Sequence, residues 1–182
     1  MTGQRNQQVR AATPDDLDAV VEVFLNCWRT TYASILPAAL VASISDPEAR
    51  ELWSRALSRT DRSVFVAADD DRVVGVVSVG MRDSADAESV AAIGWVHSLY
   101  VAPLGQGRGA GRRLLSVATS VMEAAGAVRA CLWVFAANAP SIGFYARHGF
   151  AADGVTRVEP QFGELELRLA RSLAPDVDAR DS

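Results

Sequence analysis

Four glycines alternate with other residues between Gly105 and Gly111, and this spacing can bind phosphate. Alternating glycines let successive backbone N–H groups point into one concavity, and a helix that begins directly afterwards adds unpaired donors and partial positive charge. The side chains of Arg108 and Arg112 can add further positive charge there. A flexible solvent-exposed turn would not explain a strand before it and a helix after it. We therefore predict a phosphate-bearing ligand at this turn.

Two common phosphate-binding loops fit the glycine spacing less well. No Gly-Lys-Ser/Thr ends the turn, so an NTPase loop would lack its lysine and its magnesium ligand. The glycines do not follow the GxGxxG pattern of dinucleotide-binding folds. No ribose-binding acid follows at the expected place after a second strand either. The sequence therefore points away from both classes.

The elements around the turn follow from the spacing of apolar residues. A strand over 92–101 leads into the turn, and a helix over 109–125 leaves it and ends at Gly126. Downstream we predict a strand over 128–135, a short helix over 140–147 and a final strand over 161–169. Within that last strand charged residues alternate with leucines from Glu164 to Leu169, the period of two of a half-buried strand.

The N-terminal part combines helices with a hairpin. A short strand over 9–12 precedes a helix at whose start Thr13 can cap and Pro14 suits the first helical position. The apolar stripe of this helix includes Trp28 and is extended by Tyr32. We also predict a second helix from about residue 46, hairpin strands over 63–67 and 72–81, and a polar loop over 83–88. This mixture indicates an α+β (α/β) fold with a mixed central β-sheet flanked by helices.

Length and composition limit the classes to which this protein can belong. The 182 residues suit one domain, over 9–173, with a flexible N-terminus over 1–8 and a flexible C-terminal tail over 174–182. A net charge of −4 argues against nucleic acid as a partner. No apolar run approaches the ~20 residues of a membrane span, and no secretory signal is present, so we expect a cytoplasmic protein with no membrane partner. Cys27 and Cys131 lie in apolar runs without metal-ligand spacing, so we expect reduced core thiols and no metal.

Three motifs between residues 94 and 150 occur in an order and at separations that carry a family resemblance. Residues 106–111 read Gln-Gly-Arg-Gly-Ala-Gly, residues 99–103 read Leu-Tyr-Val-Ala-Pro, and residues 138–150 contain Asn-x6-Tyr-x3-Gly-Phe. They resemble the pyrophosphate loop, the cofactor strand and a later segment of the GNAT superfamily of acetyl-CoA-dependent N-acetyltransferases. The N-terminal helix and the hairpin resemble the rest of that fold more loosely.

The resemblance implies roles for particular residues. The backbone of Leu99 and Val101 would hydrogen-bond the pantetheine arm like an added strand, and the amides of 106–112 would hold the pyrophosphate. Asn138 would face the pantetheine where the central sheet splays apart, and Tyr145 would lie near the cofactor sulfur. The residues expected at acetyl-CoA are Leu99, Tyr100, Val101, Gln106, Gly107, Arg108, Gly109, Ala110, Gly111, Arg112, Asn138 and Tyr145.

Amide formation from a thioester sets the chemistry that these residues must perform. The amine has to lose a proton, because an ammonium with a pKa near ~10.4 has no lone pair at neutral pH. The oxyanion needs an N–H donor, and the departing thiolate gains from a proton donor. Tyr145 can be that donor, although an aromatic beside Phe144 and Phe150 can also serve packing alone. Trp28 and Tyr32 can face the acceptor, but aromatic stripes of this kind are more often core.

The base is less clearly indicated. At the plausible positions for the glutamate that the family often uses, this chain has Trp95 and Trp133, which cannot take a proton. His97 is the nearest titratable residue on the cofactor strand and has an ordinary pKa of about 6.5, but it can equally be structural. If the strand is regular, His97 shares a face with Trp95 and Leu99, and a β-bulge would change that. Glu164 and an ordered water are the other candidates.

The activity implied is transfer of the acetyl group of acetyl-CoA to a primary amine of a small molecule or peptide, by direct attack on the thioester. A non-catalytic acyl-CoA-binding or regulatory module is the first alternative, because the usual glutamates are missing. An unrelated phosphate-ligand-binding protein is the second. The sequence names no acceptor, and it allows a homodimer without determining the oligomeric state.

Overall fold

The computed structural model describes residues 7–81, 92–160 and 163–173. Its helices and strands are, in chain order, β1 (Gln7–Ala11), α1 (Leu17–Thr30), α2 (Ala38–Ala42), α3 (Asp46–Ser58), β2 (Arg62–Asp69), β3 (Arg72–Met81), β4 (Ile93–Val101), α4 (Ala110–Ala124), β5 (Arg129–Phe135), α5 (Ala139–Ala146), β6 (Ala151–Val158) and β7 (Leu165–Ser172). Short 3-10 turns lie at Pro14–Asp16, Tyr32–Ser34 and Pro103–Gly105.

The seven strands of the described residues form one mixed sheet in the order β1-β2-β3-β4-β5-β7-β6. Neighbouring strands are antiparallel except β4 and β5, which run parallel and are joined by the crossover helix α4. The predicted hairpin is observed as β2 and β3. The mixed central sheet flanked by helices that the sequence predicted is therefore confirmed.

Helices cover both faces of the sheet. On one face α4 packs Leu114, Leu115 and Met122 against β3, β4 and β5, and Tyr145 of α5 joins the same cluster. On the other face α1 and α3 contribute Phe24 and Trp53. Trp53 is fully buried, as expected of a core residue.

The two central strands separate before they end. Pairing of β4 with β5 runs from Ile93 opposite Arg129 to Val96 opposite Leu132 and then stops. Both strands continue beyond that point, so residues 97–101 of β4 have no partner on β5. The sheet therefore contains a gap between β4 and β5 toward the carboxyl ends of both strands.

A β-bulge on β4 lies at the start of this gap. Ser98 lies opposite Ser78 and Val96 lies opposite Val79, so His97 is the extra residue. After the bulge Leu99 packs against the α4 face, whereas Tyr100 packs against the α1 face. The strand is therefore irregular, and His97 and Leu99 do not share a face as they would in a regular strand.

Thr13 caps the 3-10 turn Pro14–Asp16 that leads into α1, and Pro14 lies in the first turn, as predicted. In return, the carboxylate of Asp16 accepts hydrogen bonds from the backbone N–H and the hydroxyl of Thr13, which completes a capping box. Asp16 is buried and also accepts from both terminal nitrogens of Arg10, each at 2.7 Å. These bonds tie β1 to the beginning of α1.

Several predicted boundaries were wrong. The last strand covers Leu165–Ser172 instead of 161–169, and β6 and the short α2 were not predicted. β1 begins at Gln7, inside the segment expected to be flexible. The predicted loop over 83–88 and the tail over 174–182 lie outside the described residues.

Candidate functional site

The glycine-rich turn joins β4 to α4 through two left-handed residues. Gly107 has a φ of +71° and Gly109, which immediately precedes α4, has a φ of +82°. Residues with side chains rarely adopt this conformation, which explains glycine at these two positions. The turn and the first residues of α4 line a cavity of about 510 Å³, which we call the loop cavity.

Two further glycines of the turn leave space that a side chain would occupy. A Cβ at Gly105 would lie 2.9 Å from the Cβ of Val74, too close to be accommodated. A Cβ at Gly111 would lie 3.4 Å from the ring of Phe144, and both residues line the loop cavity. The backbone at Gly111 is therefore open to a ligand only because it carries no side chain.

The predicted cationic side chains of the turn point in different directions. Arg112 lines the loop cavity together with Arg147. Arg108 instead forms an ion pair at 3.1 Å with Asp69, the last residue of β2, and does not line the cavity. The structure therefore brings Arg112, but not the Arg108 side chain, to the predicted phosphate position.

The end of β4 is held by two side chains. The amide nitrogen of Gln106 donates to the carbonyl oxygen of Val101 at 2.9 Å, and the thiol of Cys27 lies 3.3 Å from the same oxygen. Burial raises the pKa of the Cys27 thiol to about 11, so it stays protonated and can donate. Neither Cys27 nor Cys131 forms a disulfide, and both are buried, as predicted from the sequence.

A second cavity of about 240 Å³, the gap cavity, fills the opening between β4 and β5. It meets the loop cavity at four residues that line both: Tyr32, Leu99, Tyr100 and Ser141. The two cavities are therefore continuous. The glycine-rich turn lies at one end, and the largely aromatic gap cavity lies at the other.

Asn138 begins α5 and so fixes the position of Tyr145. Its side-chain oxygen accepts a hydrogen bond from the backbone N–H of Ser141 at 3.1 Å, and Asn138 is almost fully buried. Seven residues later Tyr145 lines the gap cavity, with its ring between those of Phe144 and Phe150. Burial raises the pKa of Tyr145, so its phenol remains protonated at neutral pH.

His97 lies in the bulge and lines the gap cavity. Its Nε2 is 3.1 Å from the place that a Cβ at Gly80 would occupy, so the glycine on β3 leaves room for the imidazole. The chain's other histidine, His148, contacts the carbonyl oxygen of Phe144 through Nδ1 at 2.8 Å. That contact holds His148 at the end of α5.

Trp28 and Tyr32 are stacked at 4.7 Å and both line the gap cavity. Trp28 is also core, because its indole packs edge-on against Phe24 and is only 4% exposed. Burial raises the pKa of Tyr32 and of Tyr100, which keeps both phenols neutral. Trp28 and Tyr32 therefore pack within the aromatic cluster and also line the gap cavity.

Two acidic residues, Glu159 and Glu166, reach the gap cavity, and Glu164 does not. Glu166 is the more deeply buried of the two. Glu166 is 7% exposed, and its carboxylate accepts a hydrogen bond from Nε of Arg157 at 2.7 Å. Burial raises its pKa, partly opposed by Arg157. Glu166 lies in the alternating segment 164–169, but the sequence did not single it out. Alternation alone does not show which face of a strand lines a cavity.

Comparison with known proteins gives consistent matches. The model of the acetyltransferase (GNAT) family matches residues 18–150. The uncharacterized N-acetyltransferase YuaI of Bacillus subtilis is 31% identical over 174 residues, covering 91% of this chain and 96% of the relative. A probable N-acetyltransferase of Mycobacterium tuberculosis is 29% identical, with 93% and 97% covered.

Several solved structures share the fold. The PaiA N-acetyltransferase of Thermoplasma acidophilum, in complex with coenzyme A, has a TM-score of 0.72 at 20% identity and covers 92% of this chain and 99% of its own. A ribosomal-protein-alanine N-acetyltransferase of Brucella melitensis has a TM-score of 0.70 at 27% identity, covering 91% and 99%. Within residues 7–81, 92–160 and 163–173, no helix is long and apolar enough to cross a membrane.

Proposed function

We propose, from the premise that this chain belongs to the acetyltransferase (GNAT) family, that it transfers the acetyl group of acetyl-CoA to a primary amine of a small molecule or peptide. The observation that carries the proposal is the continuity of the two cavities. A glycine turn suited to pyrophosphate opens into a gap between strands that is lined by Tyr145 and His97. A cofactor lying along β4 would therefore bring its thioester to those side chains.

The loop cavity fits the nucleotide end of the cofactor. Backbone amides from Gly107 to Arg112 and the start of α4 supply donors and partial positive charge for the pyrophosphate. Arg112 and Arg147 add positive charge at the same cavity. The 3.1 Å ion pair with Asp69 leaves Arg108 to contribute through its backbone.

The pantetheine arm would occupy the gap between the two strands. A carbonyl oxygen has two lone pairs, and that of Val101 already accepts from Gln106 and Cys27. Leu99 is therefore the stronger backbone candidate for pairing with the arm. Asn138 lines the adjoining loop cavity, although its side-chain oxygen is committed to starting α5.

The reaction needs one proton removed and one supplied. The amine nitrogen attacks the acetyl carbonyl carbon, the carbon–sulfur bond breaks, and free thiol and amide are the products. The buried phenol of Tyr145 is protonated and can give its proton to the departing sulfur, after which water restores it. His97 takes the amine proton, directly or through one water.

The experiment that tests the proposal is an acceptor screen with purified protein and acetyl-CoA. Release of free thiol is followed together with the mass of the acetylated product. Thiol release that depends on an amine supports the transferase. Tight binding of coenzyme A without turnover on any amine would favour the acyl-CoA-binding module, and preference for ATP or NAD would favour an unrelated phosphate-binding protein.

The catalytic unit is proposed to be the segment 9–173. Every element that lines the two cavities lies within it, from Cys27 on α1 to Glu166 on β7. A variant truncated after residue 173 is expected to keep the turnover of the full chain, measured by the same thiol assay. Loss of activity on this truncation would place part of the catalytic unit in the tail.

A further inference from the structure

We propose that the gap cavity contains a cation subsite, formed by Glu166, Glu159 and the ring of Trp133, that selects acceptors bearing a second positive charge beside the reacting amine. The inference rests on the proposed acetyl transfer to amines and specifies the acceptor class. All three residues line the gap cavity, which also holds Tyr145 and His97.

The structure already shows a cation held in this subsite. The guanidinium carbon of Arg157 lies 4.3 Å from the centre of the Trp133 ring, and its Nε donates to Glu166 at 2.7 Å. An aromatic face beside a carboxylate is an arrangement that binds ammonium and guanidinium groups. The side chain of Arg157 is 36% exposed, so it borders solvent and can shift along the ring when a ligand enters.

The charge balance of the cavity favours a cation over an anion. Among the described residues, the lining contains two carboxylates, Glu159 and Glu166, and one permanently charged cation, Arg157. Glu159 is close enough that its charge helps to raise the pKa of Glu166, after the larger effect of burial. An added positive charge would relieve this repulsion between the carboxylates.

An acceptor carboxylate would have to take Arg157 away from its partner. That exchange would leave Glu166, which is 7% exposed, without its counter-charge. Removing one partner of a buried pair is strongly unfavourable because the other charge remains desolvated. Arg157 is therefore a positioning residue for Glu166 and not a receptor for acidic acceptors.

The remaining walls suit an acceptor with an apolar connecting chain. The rings of Trp28, Tyr32, Trp133 and Phe135 line the same cavity and offer no charge of their own. They can bury methylene groups between the reacting nitrogen and the second cation. An aliphatic diamine is the simplest molecule that satisfies the carboxylates and the aromatic walls together.

Three acceptors of matched length test the proposal with the full chain and acetyl-CoA. They are 1,4-diaminobutane, 1-aminobutane and 4-aminobutanoate, which differ only in the group opposite the reacting amine. We expect kcat/KM for the diamine to exceed that for the monoamine by about tenfold or more, mainly through KM, with the amino acid poorest. Equal values for the diamine and the monoamine, or preference for the amino acid, would overturn the proposal.

Substitutions of the two glutamates test whether the preference for the diamine arises at the proposed subsite. In Glu166→Gln, the ratio of kcat/KM for the diamine to kcat/KM for the monoamine should fall close to one. Glu159→Gln should lower this ratio less, and Glu166→Asp should keep part of it. Glu123→Gln, on the exposed side of α4, is the matched control and should keep the ratio of the unaltered protein. A full ratio in folded Glu166→Gln would contradict the assignment, and Glu159→Gln provides the test if Glu166→Gln does not fold.

A binding measurement separates this proposal from the one on which it rests. If none of the three amines releases thiol, transfer to simple amines fails, but the subsite is still tested by thermal unfolding of the coenzyme A complex with each amine. A rise in Tm with the diamine alone, absent in Glu166→Gln, supports the subsite. An equal response to all three amines overturns it.

Discussion

Trp95 and Trp133 lie on adjacent strands with their indole rings stacked 6.1 Å apart at an angle of 20°. In the sequence, these two residues fall at plausible positions for the glutamate that the family often uses. Trp95 is only 2% exposed, so the stack fills that part of the gap with rings that cannot accept a proton. We therefore propose that deprotonation of the acceptor takes place elsewhere in the gap cavity.

Gly111→Val is expected to weaken coenzyme A binding strongly. The new side chain would start 3.4 Å from the Phe144 ring and extend into the loop cavity. Isothermal titration should show a loss of about 100-fold or more, since donors at the helix start could no longer approach phosphate. Gly143→Ala, on α5, is the control because its Cβ would meet only the end of Arg147, at 3.6 Å. Undiminished affinity in folded Gly111→Val would remove this turn from the binding site.

Tyr145→Phe is expected to slow turnover while largely preserving the fold and coenzyme A affinity. The substitution removes only the hydroxyl from a ring that packs between Phe144 and Phe150. Loss of a general acid should reduce kcat by about 10²–10⁴-fold. The deficit should shrink when the acetyl donor carries a better leaving group, because such a thiolate departs without a proton. Normal kcat with acetyl-CoA would exclude the acid role.

His97→Gln is expected to flatten the ascending limb of kcat/KM against pH. The imidazole lines the gap cavity and is the only histidine there among the described residues. Rates measured across neutral pH with the best acceptor give the comparison. His148→Gln should keep the limb, because that histidine contacts the end of α5 through Phe144. If the limb survives in His97→Gln, with only thermal stability lowered, the histidine is structural.

Asp16→Asn is expected to lower the free energy of unfolding at neutral pH by about 1–2 kcal/mol, allowing for the exposure of Arg10. Hydrogen bonds from Arg10 are the main cause that lowers the pKa of Asp16 to about 2. A carboxyl with a lowered pKa stabilises the folded state above its ordinary value of about 3.9 and loses that contribution as pH falls toward 2.

Urea unfolding of both proteins from pH 7 downward measures this effect. The difference between Asp16→Asn and the unaltered protein should close as the solution becomes acidic. Asp18→Asn is the control, because Asp18 forms an exposed pair with Arg50 that contributes about 0–1 kcal/mol. A difference that persists undiminished at acid pH would indicate that charge is not the cause.

The sequence predicted the parts of the fold that depend on local patterns. The glycine turn, the long helices and the hairpin follow from backbone sterics and periodicity, and they were placed within a few residues. β6 was missed because it shows no clear alternation: it lies at the sheet edge, and its pairing with β7 shifts register between Ala152 and Thr156. Local sequence carries little information about such an edge strand.

Sequence patterns predicted the part of the site that the glycine-rich backbone forms. They did not predict which side chains reach the cavities, because that depends on how the strands pair. The bulge at His97 is visible only in the offset between Ser78 and Val79 on the neighbouring strand. Glu166 reaches the gap cavity because β7 pairs with β5 in a register that sets it opposite Phe135. Arg108 and Arg112 each follow a glycine in the sequence, and the ion pair of Arg108 with Asp69 depends on the tertiary structure.

The gap between β4 and β5 also has a mechanical consequence. The strands on either side, β1–β4 and β5–β7, are joined within the sheet by only four register pairs, from Ile93 with Arg129 to Val96 with Leu132. A cofactor arm inserted along Leu99 would act as a surrogate strand and would stiffen the seam between the two halves. Amide hydrogen exchange of residues 97–101 and 133–135 should then slow on binding coenzyme A, while exchange at the β2–β3 pairing stays unaltered.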